Sequence, residues 1–221
     1  MSTIYVFADI ETDGLRVDRL LQIAAVTEKD ENFNVYINPK TDLPLSCTNL
    51  CGLYYFKGHL HKDGQRLPSV GVRQALLCFK DWLEGLGKDV TLVFHNGFSF
   101  DCYVLAKYFI KFNVGTPRNV KQIGDTLPSF RKHLKEPELL NHRLTSLASF
   151  FDLDFPGAHD ALQDSRILKA ICEKTAIKTD KTLADLLQDH CKSFNYFIEK
   201  EQNRIKQKTN TIPTTTETKN D

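Results

Sequence analysis

Apolar and polar positions along the chain follow two different periods. Ile4 to Asp9, Leu20 to Thr27 and Phe33 to Asn38 are short β-like runs, and in the third Phe33, Val35 and Ile37 alternate with polar or amphipathic residues. Thr12-Asp13-Gly14 and Glu28 to Asn32 are turn-rich links between them, and links this short favour antiparallel neighbours. From Ser69 the period changes, and Val72, Ala75, Leu76, Phe79, Leu83 and Leu86 predict an amphipathic helix ended by Gly85 and Gly87. Val90 to His95 reads as a fourth strand, followed by Asn96-Gly97 and a helix from about Phe100 to Phe112 with Ser99 as its N-cap. Gln122 to Leu127 predicts a fifth strand, Pro128 to Leu134 a short helix, Arg143 to Phe151 an amphipathic helix, and Asp160 to Thr175 a longer one. Leu183, Leu186, Leu187, Cys191, Phe194, Phe197 and Ile198 keep one apolar stripe over four helical turns, to be packed on the core or on a second subunit.

The expectation is an α/β fold, a mixed five-stranded sheet flanked by helices, over residues 1–178. A C-terminal amphipathic helix follows over 179–201, then a polar, Thr-rich tail over 202–221 with too little apolar surface to offset the entropy of ordering it. No internal repeat is visible. At 221 residues and 41% hydrophobic, the chain can bury one sizeable core. A net charge of +1 excludes a bulk polycation, so nucleic-acid binding would need a local patch. Lys107, Lys111, Arg118, Lys121, Arg131, Lys132, Lys135 and Arg143 supply one, since only Asp125, Glu136 and Glu138 oppose them in that stretch. No window approaches the roughly eighteen apolar residues of a membrane span, and the first β-like run starts too near Met1 for a cleaved signal peptide. The six cysteines read as reduced thiols of the nucleus or cytoplasm. Cys47, Cys51, His59 and His61 have the ligand types of a zinc site, but their spacing fits no common finger.

Candidate chemistry lies in carboxylates. Asp9 and Glu11 stand two apart at the end of an apolar strand, so its period of two turns both to one face. Side by side they repel unless a cation or a shared proton lies between them. The plain alternative is that Glu11 and Asp13 are turn residues on a solvated edge. Asp101 falls in the first turn of the helix after His95-Asn96-Gly97, where an acid equally serves the helix dipole. In Gly157-Ala158-His159-Asp160-Ala161-Leu162-Gln163-Asp164, Asp160 and Gln163 fit an N-cap and N3 pair, which gives Asp160 a structural task. His159 and Asp164 on one helix would be about 140° apart, so a shared site needs His159 outside the helix. A loop histidine beside carboxylates is a ready proton acceptor, its ordinary pKa being near 6.5.

Asp9, Glu11, Asp101, Asp164 and His159, in this order and at these spacings, resemble the histidine-containing DEDDh branch of the 3′→5′ exonucleases, the DnaQ-like and RNase T-type nucleases. The resemblance covers roughly 4–174. Thr12 to Leu15, Asp125-Thr126-Leu127 and Leu144-x-x-Leu147 also fit it. It implies a ribonuclease-H-like fold in which Asp9, Glu11, Asp101 and Asp164 hold two divalent ions, Mg²⁺ or Mn²⁺, while His159 takes a proton from the attacking water. Thr12 and Leu15 would hold the terminal nucleotide, with Arg16 and Asn96 beside them. The compact layout looks like Trex-type enzymes, with a looser similarity to the exonuclease-like domain of promyelocytic leukaemia protein isoforms and its free-standing vertebrate relatives. The partner expected is a single-stranded or frayed 3′ end, DNA by a small margin. RNA trimming and a non-catalytic binding module on the same fold are the alternatives, and the C-terminal stripe leaves room for a homodimer.

Overall fold

The structure is a computed structural model that describes residues 3–14, 19–155 and 159–210. Leu15 and Arg16, the Gly157-Ala158 approach and the tail from 211 lie outside the described residues. The chain opens with a meander of strands β1 (Thr3–Thr12), β2 (Leu20–Thr27) and β3 (Asn32–Ile37). An inserted module follows, made of helix α1 (Leu45–Cys51) and strands β4 (Leu53–Phe56), β5 (His59–Lys62) and β6 (Gln65–Arg66). The main body resumes with β7 (Ser69–Val70), α2 (Val72–Gly85), β8 (Asp89–Phe94), a 3-10 turn (Gly97–Ser99), α3 (Asp101–Lys111) and β9 (Val120–Asp125). It ends with α4 (Thr126–His133), α5 (Leu144–Phe150), α6 (Ala161–Thr179), α7 (Leu183–Leu187), β10 (Cys191–Lys192) and α8 (Phe194–Asn210).

The main sheet has the order β10-β9-β8-β1-β2-β3-β7, so seven strands replace the five expected. The two additions, β7 and β10, are two-residue edge strands, too short to show any alternation. As the short links require, β1, β2 and β3 are antiparallel, whereas β8 and β9 continue from β1 in parallel through helical crossovers. Alternation along β1 splits the core in two. Val6, Ala8 and Ile10 join Phe79, Leu105, Phe109 and Phe197 on the face covered by α2, α3 and α8. Phe7 faces the opposite way, with Phe130, Leu147, Leu168 and Ile171 of α4, α5 and α6. No helix among the described residues is long and apolar enough to cross a membrane.

Three expectations need correction. The C-terminal stripe is not one helix: it breaks into α7, β10 and α8 because β10 pairs with the open edge of β9, Cys191 opposite Gly124 and Lys192 opposite Ile123. Leu187 is thereby buried on one face of the sheet and Phe194 and Phe197 on the other, so these residues of the stripe are used inside the chain. Helix α8 also runs to Asn210, into the stretch expected to be a tail. Finally, Ser99 does not cap α3: Phe100 holds that position without a side-chain bond, and the Ser99 hydroxyl donates to Asn96 Oδ1 (3.0 Å).

Candidate active site

Because Asp9 and Glu11 share the face of Phe7, the strand aims both toward α6, which packs across β1 and β2. Glu11 is buried at 9% exposure, while Asp9 is part-buried. The turn after them is closed by Asp13, whose buried carboxylate pairs with the Arg19 guanidinium and accepts from its backbone N–H (2.7 Å). Asp13 is thus a buried structural acid rather than a residue on a solvated edge, and Glu11 is buried as well. Half-buried Thr12 ends the strand, opposite Leu20.

Asp101 begins α3 and lies beside β1, where the Ile10 amide favours its charged form against the burial that raises its proton affinity. The loop before it is organised by buried Asp125, at the end of β9. Its Oδ1 accepts from Asn96 N (2.8 Å) and Leu127 N (3.0 Å), and its Oδ2 from Phe98 N (3.0 Å), so one side chain caps α4 and shapes the loop. Gly97 is required there, since a Cβ would collide with the Phe94 side chain. Asn96 takes a left-handed φ of 61° and is exposed in the cleft. Both nitrogens of His95 are engaged, Nε2 donating to His142 O (2.7 Å) and Nδ1 meeting Thr126 Oγ1 (2.8 Å), so it builds the wall.

Helix α6 begins as expected, with Asp160 Oδ1 accepting from the amides of Leu162 (3.1 Å) and Gln163 (3.4 Å). That places His159 just outside the helix, at φ 68°, with its side chain exposed. The His159 amide lies near enough to the Asp164 carboxylate to favour its charged form, and Asp164 Oδ1 is buried with no hydrogen-bond partner. Glu11, His159 and Asp164 each present a ligand atom, all within 4.8 Å of one another. Asp160 has a second role that local pattern did not reveal. Its Oδ2 accepts from Tyr36 Oη (2.8 Å) and Lys62 Nζ (3.0 Å), and Gln22, opposite Glu11 on β2, donates to its Oδ1 (3.4 Å) and accepts from Ala161 N (3.2 Å).

Crowding raises the acids' affinity for protons. Burial pushes Glu11 up to about 8, helped by Asp164, and Asp9 well above the carboxylate range, helped by Asp101, Glu11 and Asp164. Burial likewise lifts Asp101 and Asp164 to about 7. Four acids, one of them with an unpartnered buried oxygen, form a hard-oxygen donor set that fits divalent cations. Of the four acids Asp164 opens into a cleft of about 560 Å³, which Asn96, Arg131, Arg143 and His159 also line. Of the expected basic patch only Arg131 and Arg143 reach it, whereas Arg118, Lys121 and Lys132 pair with Glu84, Asp89 and Asp189 elsewhere. The expected zinc-type residues are divided: Cys47 and Cys51 pack inward with Leu21, Leu53 and Leu60, while His61 stacks on Tyr54.

The RNase T-type exonuclease family matches residues 6–172, which span every one of these side chains. The chain belongs to this exonuclease family. Exonuclease DPD1 of Arabidopsis thaliana, a chloroplastic/mitochondrial protein, is 29% identical over 195 residues, covering 82% of this chain and 59% of its own length. The chain therefore spans less than two thirds of that relative. Among solved structures, Escherichia coli exonuclease I in complex with a dA16 oligonucleotide superposes with a TM-score of 0.62 at 18% identity, over 83% of this chain and 42% of that one. The nuclease domain of 3′hExo, a DEDDh family member bound to rAMP, does so at 0.58 and 16%, over 80% and 92%. At these identities the likeness is one of fold, and the fold is the ribonuclease-H-like one expected for a DEDDh exonuclease.

Proposed function

We propose that the chain is a metal-dependent exonuclease that shortens single-stranded or frayed polynucleotides from the 3′ end, with DNA preferred. The observation that carries this reading is the cluster of Glu11, His159 and Asp164, whose ligand atoms lie within 4.8 Å of one another and include the residue with the unpartnered buried oxygen, with Asp9 close enough to feel the charges of Glu11, Asp101 and Asp164. Those four carboxylates would hold two divalent cations, Mg²⁺ or Mn²⁺, which supply charge stabilisation for the attacking and leaving oxygens of an in-line phosphodiester displacement. A ring nitrogen of His159 takes the proton of the attacking water, as its place outside the helix and its exposure permit. Thr12 at the end of β1 and Asn96 in the cleft would meet the terminal nucleotide, with Arg131 and Arg143 of the cleft wall meeting its phosphates. Leu15 and Arg16 remain expected contacts.

The test is a 5′-labelled single-stranded DNA and a matched RNA, each with Mg²⁺ or EDTA. A ladder shortening from the 3′ end with Mg²⁺, absent with EDTA and in Asp9→Ala or Asp164→Asn protein, is expected. Turnover by either variant equal to that of the native protein would overturn the reading. His159→Ala should lower kcat by about 10²- to 10⁴-fold. The rAMP held by one relative of the same fold keeps RNA as a second substrate, and the paired oligonucleotides rank the two sugars directly.

A further inference from the structure

The inserted hairpin β4–β5 has two different faces. Residues directly opposite in an antiparallel pair point the same way, and the register is Leu53 to Lys62, Tyr54 to His61, Tyr55 to Leu60 and Phe56 to His59. Leu53 and Leu60 are fully buried against the body, and Lys62 on that face reaches Asp160 at 3.0 Å, next to His159. The open end of the hairpin is thus fastened to the candidate active site. The opposite face carries Tyr54, Phe56, His59 and His61, all at least partly exposed, with Phe56 52% exposed. His61 stacks on Tyr54 at 5.2 Å and 17° and meets the Phe56 ring edge-on at 6.0 Å. Exposed Arg66, opposite His61 on β6, joins the same face, and Lys57 lies over the Phe56 ring at 5.1 Å.

Nothing in the hydrophobic core needs this outward face, because Leu53 and Leu60 already anchor the hairpin. A cluster of aromatic rings with Phe56 exposed and Tyr54, His59 and His61 partly exposed is apolar surface that the core does not use. Within 53–66, Lys57 and Arg66 flank this face, Lys62 is paired with Asp160 on the other, and Asp63 is the single acid. Aromatic faces flanked by cations are what an unpaired nucleic-acid strand requires, since bases stack on rings without sequence preference while phosphates meet the cations. A duplex keeps its bases stacked on one another and offers them no such contact. We propose that the outward face of β4–β5 is a stacking platform for bases of a single-stranded polynucleotide that lie upstream of the nucleotide in the active site. This rests on the exonuclease reading for its direction, not for its chemistry.

The platform adds affinity only to strands long enough to reach it. Binding of fluorescent oligothymidylates from two to twelve nucleotides, measured by anisotropy in EDTA with Asp164→Asn protein, should therefore strengthen with length. Phe56→Ala in that background should remove about 5- to 150-fold of the gain, the value of stacking one base. An unaltered gain in the Phe56→Ala protein would overturn the proposal, as would an abasic oligomer binding as tightly as oligothymidylate. Trp82 is the sole tryptophan of the chain, so Phe56→Trp combined with Trp82→Phe leaves one reporter on the platform, on an exposed site that tolerates the exchange. Quenching of its emission by oligothymidylate is expected, and emission unchanged at saturating oligonucleotide counts against it. Quenching together with no metal-dependent hydrolysis by the native protein would sustain the platform and overturn the exonuclease reading instead.

Discussion

Asp164 concentrates the chemistry at the scale of one residue. One of its oxygens is buried without a partner, in a cluster with Glu11 and His159. Glu11 at about 8 and Asp101 and Asp164 at about 7 hold protons that the unfolded chain would release near pH 4. The folded state thus binds more protons across the interval from about 4 to about 8, and stability must fall as pH rises through it. The metal-free protein is expected to lose melting temperature steadily from pH 5 to pH 8.5, read by circular dichroism. Mg²⁺ should restore it strongly at pH 8 and little at pH 5, because cation binding stabilises the folded state once the acids are ionised. Asp164→Asn should raise the metal-free melting temperature at pH 8. A melting temperature independent of pH would show that these carboxylates do not crowd as described. That two of these acids share a face was legible from their spacing, but their mutual crowding was not, since Asp101 reaches Asp9 across ninety-two positions of sequence.

Elements meet at two aspartates that do more than cap. Asp125 caps α4 through Leu127 N and at the same time fixes the loop amides of Asn96 and Phe98 that lead into Asp101. Asp125→Ala should cost about 2–4 kcal/mol in urea unfolding, more than an ordinary N-cap, because two loop amides lose their acceptor with it. It should also lower kcat, because the loop that delivers Asp101 loosens. The cap of α6 by Asp160 was readable from Asp160-x-x-Gln163, and the helix starts where that pattern put it. The remaining partners of Asp160, namely Gln22, Tyr36 and Lys62, come from β2, β3 and the inserted hairpin. No local period announces such bonds. The hairpin itself escaped the sequence pattern because its strands are four, four and two residues long and its outward face is aromatic rather than polar.

Across the whole molecule the C-terminal segment acts as a clasp. It leaves one face of the sheet at Leu187, pairs at the β9 edge through Cys191 and Lys192, and returns to the other face at Phe194 and Phe197. Phe197 is fully buried against Phe98, Tyr103 and Tyr196, so Phe197→Ala should cost about 3–5 kcal/mol and lower the melting temperature by several degrees. If Phe197 instead lay at a contact between two copies, the loss would depend on protein concentration.

The sequence by itself determined the three-strand meander, the helices α2 to α6, the shared face of Asp9 and Glu11 and the cap at Asp160. These are consequences of period, capping chemistry and spacing, all of which act over a few residues. Only the tertiary structure decided which acids press on one another, which of the basic residues reach the cleft, how a single apolar stripe is divided between two faces, and that Lys62 ties an inserted hairpin to the helix behind His159. Those outcomes depend on pairings across tens of residues of sequence, where an open strand edge or a buried carboxylate finds its partner by proximity alone, and proximity leaves no period in the chain.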